Sequence, residues 1–77
     1  MNKQVILIED DDAMRVSLAQ TLDLEDIIVI AANSLMQAKR NIRANFPGII
    51  ISDIRMPIND GFDVLSHVQS VDNELPT

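Results

Sequence analysis

Residues 48–61 read GIIISDIRMPINDG, and this stretch decides the fold. Gly48–Ser52 is a β-branched apolar run with no polar alternation, the pattern of a strand buried on both faces. An acid, Asp53, follows at once. An irregular segment comes next, with Pro57 and an Asp60–Gly61 turn signal. A helical pattern then runs from about Phe62 to Val71, with Leu65 and Val68 directed inward. A buried strand, a loop and a helix in that order make one repeat of a parallel α/β sheet.

Working outward, the same grammar occurs twice more. Gln4–Ile8 (QVILI) is a second buried strand, ended by Glu9, Asp10, Asp11 and Asp12. A helix is expected from Ala13 to about Leu24, with Asp12 as its N-cap and Met14, Leu18 and Leu22 forming one apolar stripe. Ile27–Ala31 is the remaining strand. Asn33 or Ser34 can cap a helix over Leu35–Asn45, in which Leu35, Ala38 and Ile42 share a face. Pro47 and Gly48 end it. After Val71, Leu75-Pro76-Thr77 resembles the approach to another strand.

Composition sets the limits. With 77 residues the chain has room for one domain at most, and 47% hydrophobic content is too high for a disordered segment. Trp and Tyr are absent and Phe occurs twice, so the core is aliphatic. Cysteine is absent, which excludes disulfides and thiolate metal sites. No run reaches the roughly 18 apolar residues of a membrane span. The apolar run near the N-terminus breaks into four acids, unlike a signal peptide. A cytoplasmic protein without membrane association is expected. A net charge of −6 argues against direct nucleic-acid contact by this segment and suits a cation or basic partner.

The placement of the acids carries the chemistry. In open parallel sheets, sites form beyond the carboxyl ends of the strands, where the strand order reverses. In the flavodoxin-like order 2-1-3-4-5 that point lies between strands 1 and 3. Glu9, Asp10 and Asp53 would converge there. Carboxylates so crowded repel one another, and a divalent cation relieves the repulsion. An all-oxygen set selects a hard ion, and Mg²⁺ takes one or two carboxylates along with waters and phosphate oxygens. An aspartate in such a site can form an aspartyl-phosphate. The plainer reading, acids that cap a helix start, suits Asp12 best and Asp11 in part.

These residues resemble a known family. VILIEDDDAMR followed by IIISDIRMPINDGFDVL is similar to the receiver domains of bacterial two-component response regulators. The resemblance covers the whole chain: an acidic pair after the first strand, an Asp after the third, then Pro and Gly at fixed distances. It implies a flavodoxin-like (βα)5 fold, of which residues 1–77 would be the N-terminal portion, three strands and three helices. It implies Asp53 as the phosphorylation site and Mg²⁺ as cofactor, with Asp10 a direct ligand, Glu9 often a ligand through water, Asp53 itself a ligand, and Arg55 contributing its backbone carbonyl. Pro57 and Gly61 would shape the loop. A rival register makes Asp10 and Asp11 the pair; Glu9 and Asp10 are preferred because they follow directly on the apolar run.

The family's hydroxyl residue after strand 4 and Lys after strand 5 would fall beyond Thr77. A chain without them is expected to phosphorylate poorly. The implied partners are a sensor histidine kinase and a downstream output domain, with Arg15 and the first helix lining the kinase-docking surface. The stretch SDIRMP followed by DG is frequent in receivers of enhancer-binding AAA+ transcriptional activators, though it occurs in other classes.

Two other functions fit less well. A haloacid-dehalogenase-type phosphatase also uses a nucleophilic Asp and Mg²⁺, but Asp10-Asp11-Asp12-Ala13-Met14 lacks the final element of its motif. A pseudo-receiver would keep the fold without phosphorylation, against which the intact acid set argues. His67 is expected at the surface. Lys39, Arg40 and Arg43 read as a solvated basic face. Met14, Met36 and Met56 together suggest an adaptable binding surface, but Met14 fits the core stripe and Met56 a loop beside the site. With no fourth strand, the third strand would offer an apolar edge, so a dimer or larger assembly is expected.

Overall fold

The strand Gln4–Ile8 (β1) is the centre of the molecule in this computed structural model, which describes residues 3–77. The remaining elements follow in order: α1 (Asp12–Leu24), β2 (Ile28–Ala32), α2 (Leu35–Ala38) tightening into a 3₁₀ turn (Lys39–Asn41), β3 (Gly48–Ser52) and α3 (Gly61–Val71). The three strands are parallel in the order β2-β1-β3. Val5 pairs with Val29 on one side and Ile49 on the other; Ile8 pairs with Ala32 and Ser52. This is the 2-1-3 part of the expected order. Right-handed crossovers put α1 on one face and α2 with α3 on the other.

Side chains alternate across the sheet. Ile6, Ile8, Ala32 and Ile50 face Leu35, Ala38, Ile42, Phe46, Val64, Val68 and Leu75, which together form the main core. Val5 and Leu7 lie on the α1 face and are 3% and 2% exposed, yet Ile49 and Ile51 of that face remain 42% and 39% exposed. The first helix covers β1 and β2 and leaves β3 open. Gly48 is required where β3 meets β1, because a Cβ there would overlap the Gln4 carbonyl and press on the Phe46 ring.

Several boundaries differ from the sequence reading, each for a local reason. Asp11, not Asp12, caps α1: its Oδ1 accepts from the Met14 amide at 2.9 Å, and Asp12 becomes the first helical residue. Met14 is 51% exposed, and Leu18 is exposed too. The half-buried stripe of α1 is Arg15, Ala19 and Leu22 instead. β2 begins one residue late because Ile27 is used in ending α1. Its amide bonds Leu22 O at 3.1 Å while that of Asp26, at φ 59°, bonds Asp23 O at 3.0 Å, a Schellman ending.

Ser34 rather than Asn33 caps α2, accepting from Gln37 N at 3.1 Å. The helix stops long before Asn45. Ile42 turns extended and, with Phe46, inserts into the core; two asparagines of low helix propensity, Asn41 and Asn45, lie in this stretch. Asp60 and Gly61 do not form an isolated turn but start α3. Asp60 Oδ1 accepts from Phe62 N and Asp63 N, and Asp63 Oδ2 accepts from Asp60 N, a reciprocal capping box. Val64 and Val68 point inward, while Leu65 is exposed.

The Leu75-Pro76-Thr77 segment lies along β3, where the Pro76 carbonyl accepts from Ile50 N at 3.0 Å, but it forms no strand. Among the described residues no helix is long and apolar enough to cross a membrane.

Candidate functional site

The carboxyl ends of β1 and β3 lie side by side. Their ladder runs one step past both strands, with Asp53 N donating to Ile8 O at 3.3 Å. On the other side of β1, Glu9 N donates to Ala32 O at 3.0 Å. Backbone pairing therefore carries Glu9 and Asp53 to one rim. Carboxylate oxygens of Glu9, Asp10 and Asp53 all lie within 4.8 Å of one another. The acids are not equivalent, for Glu9 is 7% exposed and Asp10 and Asp53 face solvent. Burial pushes the Glu9 carboxyl above its ordinary value of 4.5, the Asp11 amide bonded to it pulls back, and Asp10 and Asp53 push it further up. Asp11 stands apart, its carboxylate turned to the helix start.

The loop after β3 holds Asp53 by its backbone and side chain. Arg55 N donates to Asp53 Oδ1 at 3.4 Å, and Ser52 Oγ donates to the Asp53 carbonyl at 2.9 Å. Gly61 packs against this turn: its N–H reaches Ile54 O at 2.9 Å, and a Cβ on it would come within 2.8 Å of both Asp53 O and Ile54 Cα. The close approach explains the glycine. Pro57 sits exposed in the same loop, and Asn59 makes its last bend at φ 54°. Met56 packs against the core.

Sequence reasoning missed the part played by Arg15. Its Nη1 donates to the Glu9 carbonyl at 2.9 Å, and its Nη2 pairs with Asp12 at 2.6 Å. A cation in the first turn of a helix, following a run of acids, was the available signal. Elsewhere, His67 is half-buried rather than at the surface. Lys39, Arg40 and Arg43 are exposed, and the Arg43 guanidinium lies 6.0 Å from the Phe46 ring centre. Met36 is exposed.

An oxygen-only cluster of this kind suits a hard divalent cation, because the buried, charge-crowded Glu9 is relieved by a positive ion and no softer donor competes. Comparison with known proteins agrees with the fold. Residues 5–77 match the response regulator receiver domain model. The C4-dicarboxylate transport transcriptional regulatory protein DctD of Pseudomonas aeruginosa is 40% identical over 73 residues, 95% of this chain and 16% of that protein. The transcriptional regulatory protein PrrA of Mycobacterium tuberculosis is 33% identical over 73 residues, 95% of this chain and 31% of that protein. The non-phosphorylated HemR receiver domain from Leptospira biflexa superposes with a TM-score of 0.89 at 25% identity, over 97% of this chain and 60% of that one. The chain thus spans less than a third of these two regulators and somewhat over half of a solved receiver. A parallel flavodoxin-like sheet, acids gathered at its switch point and a receiver match over nearly every residue lead to one assignment: the chain belongs to the response regulator receiver domain family.

Proposed function

We propose that Asp53 accepts a phosphoryl group from a sensor histidine kinase and that Glu9, Asp10, Asp53 and the Arg55 carbonyl hold the Mg²⁺ that assists the transfer. The observation that carries this reading is the gathering of three carboxylates from two strand ends within 4.8 Å. Bound there, Mg²⁺ would supply charge neutralisation for the acids and the incoming phosphoryl oxygens. The chain's own residues do the rest. The exposed Asp53 carboxylate is the nucleophile. Its oxygen forms a bond to phosphorus while the bond from phosphorus to the donor imidazole nitrogen breaks, and the imidazole leaves with the electron pair. The Arg55 amide bonds one Asp53 oxygen and so limits its rotation. Pro57 and Gly61 set the path of the loop that holds Asp53.

The regulator would act in the cytoplasm, through an output domain that controls transcription, as the names of DctD and PrrA suggest by analogy. The SDIRMP stretch followed by DG favours an output of the enhancer-binding class. In isolation the 77 residues would associate through β3, whose outer side has little cover.

Acetyl phosphate and Mg²⁺, followed by mapping of the modified residue in the intact regulator, test the reading. Label on Asp53 that disappears in Asp53→Asn is the expected result. No label despite bound Mg²⁺, or label elsewhere, overturns it.

A further inference from the structure

Arg15 occupies an electrostatically poor position. It lies in the first turn of α1, where the helix dipole disfavours a cation. Its side chain is nonetheless only 19% exposed. The contacts explain the placement. One arm of the guanidinium reaches back to the Glu9 carbonyl at 2.9 Å and the other holds Asp12 at 2.6 Å. The planar fork thereby spans the turn from β1 into α1 and closes it as a ring.

That turn carries Glu9 and Asp10, and Glu9 is anchored at every polar group. Its amide bonds Ala32 O, its carbonyl accepts from Arg15, and its Oε2 accepts from Asp11 N at 3.2 Å. Arg15 supplies the one of these anchors that comes from a side chain. Three acids within 4.8 Å repel, and they stay together only if the backbone beneath them is held.

We infer that Arg15 is a positioning residue for the cation site: by tying the Glu9 carbonyl to Asp12 it fixes the backbone that presents the Glu9 and Asp10 carboxylates. The inference rests on the proposed cation site, but its first consequence needs no cation. Without Arg15 the carbonyl of Glu9 swings loose, and the neighbouring bond from Asp11 N to Glu9 Oε2 opens more often. With a cation, the ligands are no longer preorganised and affinity drops. Groups that orient metal ligands commonly contribute roughly 10–100-fold to affinity, and the lower end, about tenfold, is expected here.

The experiment compares wild type with Arg15→Ala, Arg15→Lys and Asp12→Asn, using amide hydrogen exchange without cation and Mg²⁺ titration followed by NMR. In Arg15→Ala the Asp11 amide loses protection while Ile6, Ile8 and Ile50 keep theirs, and Mg²⁺ affinity falls about tenfold. Arg15→Lys, with one donor head for two acceptors, restores part of that affinity. Asp12→Asn weakens it less than Arg15→Ala, because the bond to Glu9 O survives. Unchanged Asp11 protection in Arg15→Ala overturns the inference, as does a loss of protection spread evenly over the strands, which would mark a general packing role. Failure of the cation site itself looks different: wild type would show no Mg²⁺-dependent shifts at Glu9, Asp10 and Asp53, whatever the exchange data say about Arg15.

Discussion

Asp53 N donates to Ile8 O, one step beyond the paired strands, and this bond sets the Asp53 backbone beside Glu9. The site therefore depends on a backbone contact between distant parts of the chain, and disturbing the loop behind Asp53 disturbs the acid cluster.

Gly61→Ala tests that dependence. The added Cβ would lie 2.8 Å from Asp53 O and Ile54 Cα, and backbone cannot yield as a flexible side chain would. Overpacking of this kind costs about 1–3 kcal/mol. The variant is expected to melt at lower temperature and to accept phosphate on Asp53 more slowly than its stability loss explains. Urea denaturation and acetyl phosphate labelling measure the two effects. A variant with wild-type stability and labelling rate would show that the loop absorbs the methyl group.

Glu9→Gln separates repulsion from cation binding. The Glu9 carboxyl is raised above 4.5, chiefly by burial and then by Asp10 and Asp53. The folded state thus holds the proton more tightly than the unfolded one. The neutral acid favours folding at low pH, and that contribution is lost as pH rises from 4.5 through the folded value. Glutamine carries no such cost, so without Mg²⁺ the variant should be the more stable protein at neutral pH, and the two should converge below 4.5. Saturating Mg²⁺ should stabilise wild type more than the variant. Thermal melts across pH, with and without Mg²⁺, decide it; a variant less stable than wild type at neutral pH without cation counts against the argument.

Much of this was legible in the sequence because the deciding signals were local. Three β-branched runs ending in acid or small polar residues defined the strands, and β1 and β3 match their predicted bounds. The gathering of Glu9, Asp10 and Asp53 followed from strand order alone. What was not legible depended on tertiary context. The α2 pattern continues past Ala38 on paper, but burying Ile42 and Phe46 ends the helix early. The α1 stripe of Met14 and Leu18 has helical spacing yet points to solvent, because the half-buried face belongs to Arg15, Ala19 and Leu22. Arg15 read as a surface cation, since its bond to the Glu9 carbonyl exists only once the turn has closed.

Asp72 provides a pH dependence of opposite sign. Its carboxylate accepts from Asn45 N at 2.9 Å and Glu74 N at 3.1 Å, bonds that hold its carboxyl below the ordinary 3.8. A depressed acid contributes stability that is fully present above 3.8 and is lost as pH falls through the folded value. Asp72→Asn should therefore be less stable than wild type at neutral pH, and the gap should close in strong acid. The group is exposed, so the effect should also shrink at high salt. Melting curves over an acid series check this; a gap that stays constant with pH would assign the loss to packing.

The outer side of β3 gives the last prediction. On its inner side β3 pairs fully with β1, whereas on the outer side its backbone bonds among the described residues are Gly48 N to the Phe46 carbonyl, within its own approach, and Ile50 N to the Pro76 carbonyl. Ile49 and Ile51 are exposed on one face of this edge, and on the other lies a shallow groove of Ser52, Ile54, Gly61, Phe62, Leu65 and Thr77. An edge with apolar surface on both faces is a template for a second chain. The 77-residue protein should be a dimer or larger at micromolar concentration by light scattering. Ile51→Lys places a charge beside the edge, at a position already 39% exposed, so the fold can accept it while association weakens. A monomeric mass for wild type would overturn the prediction, and an unchanged oligomer in Ile51→Lys would move the interface away from β3.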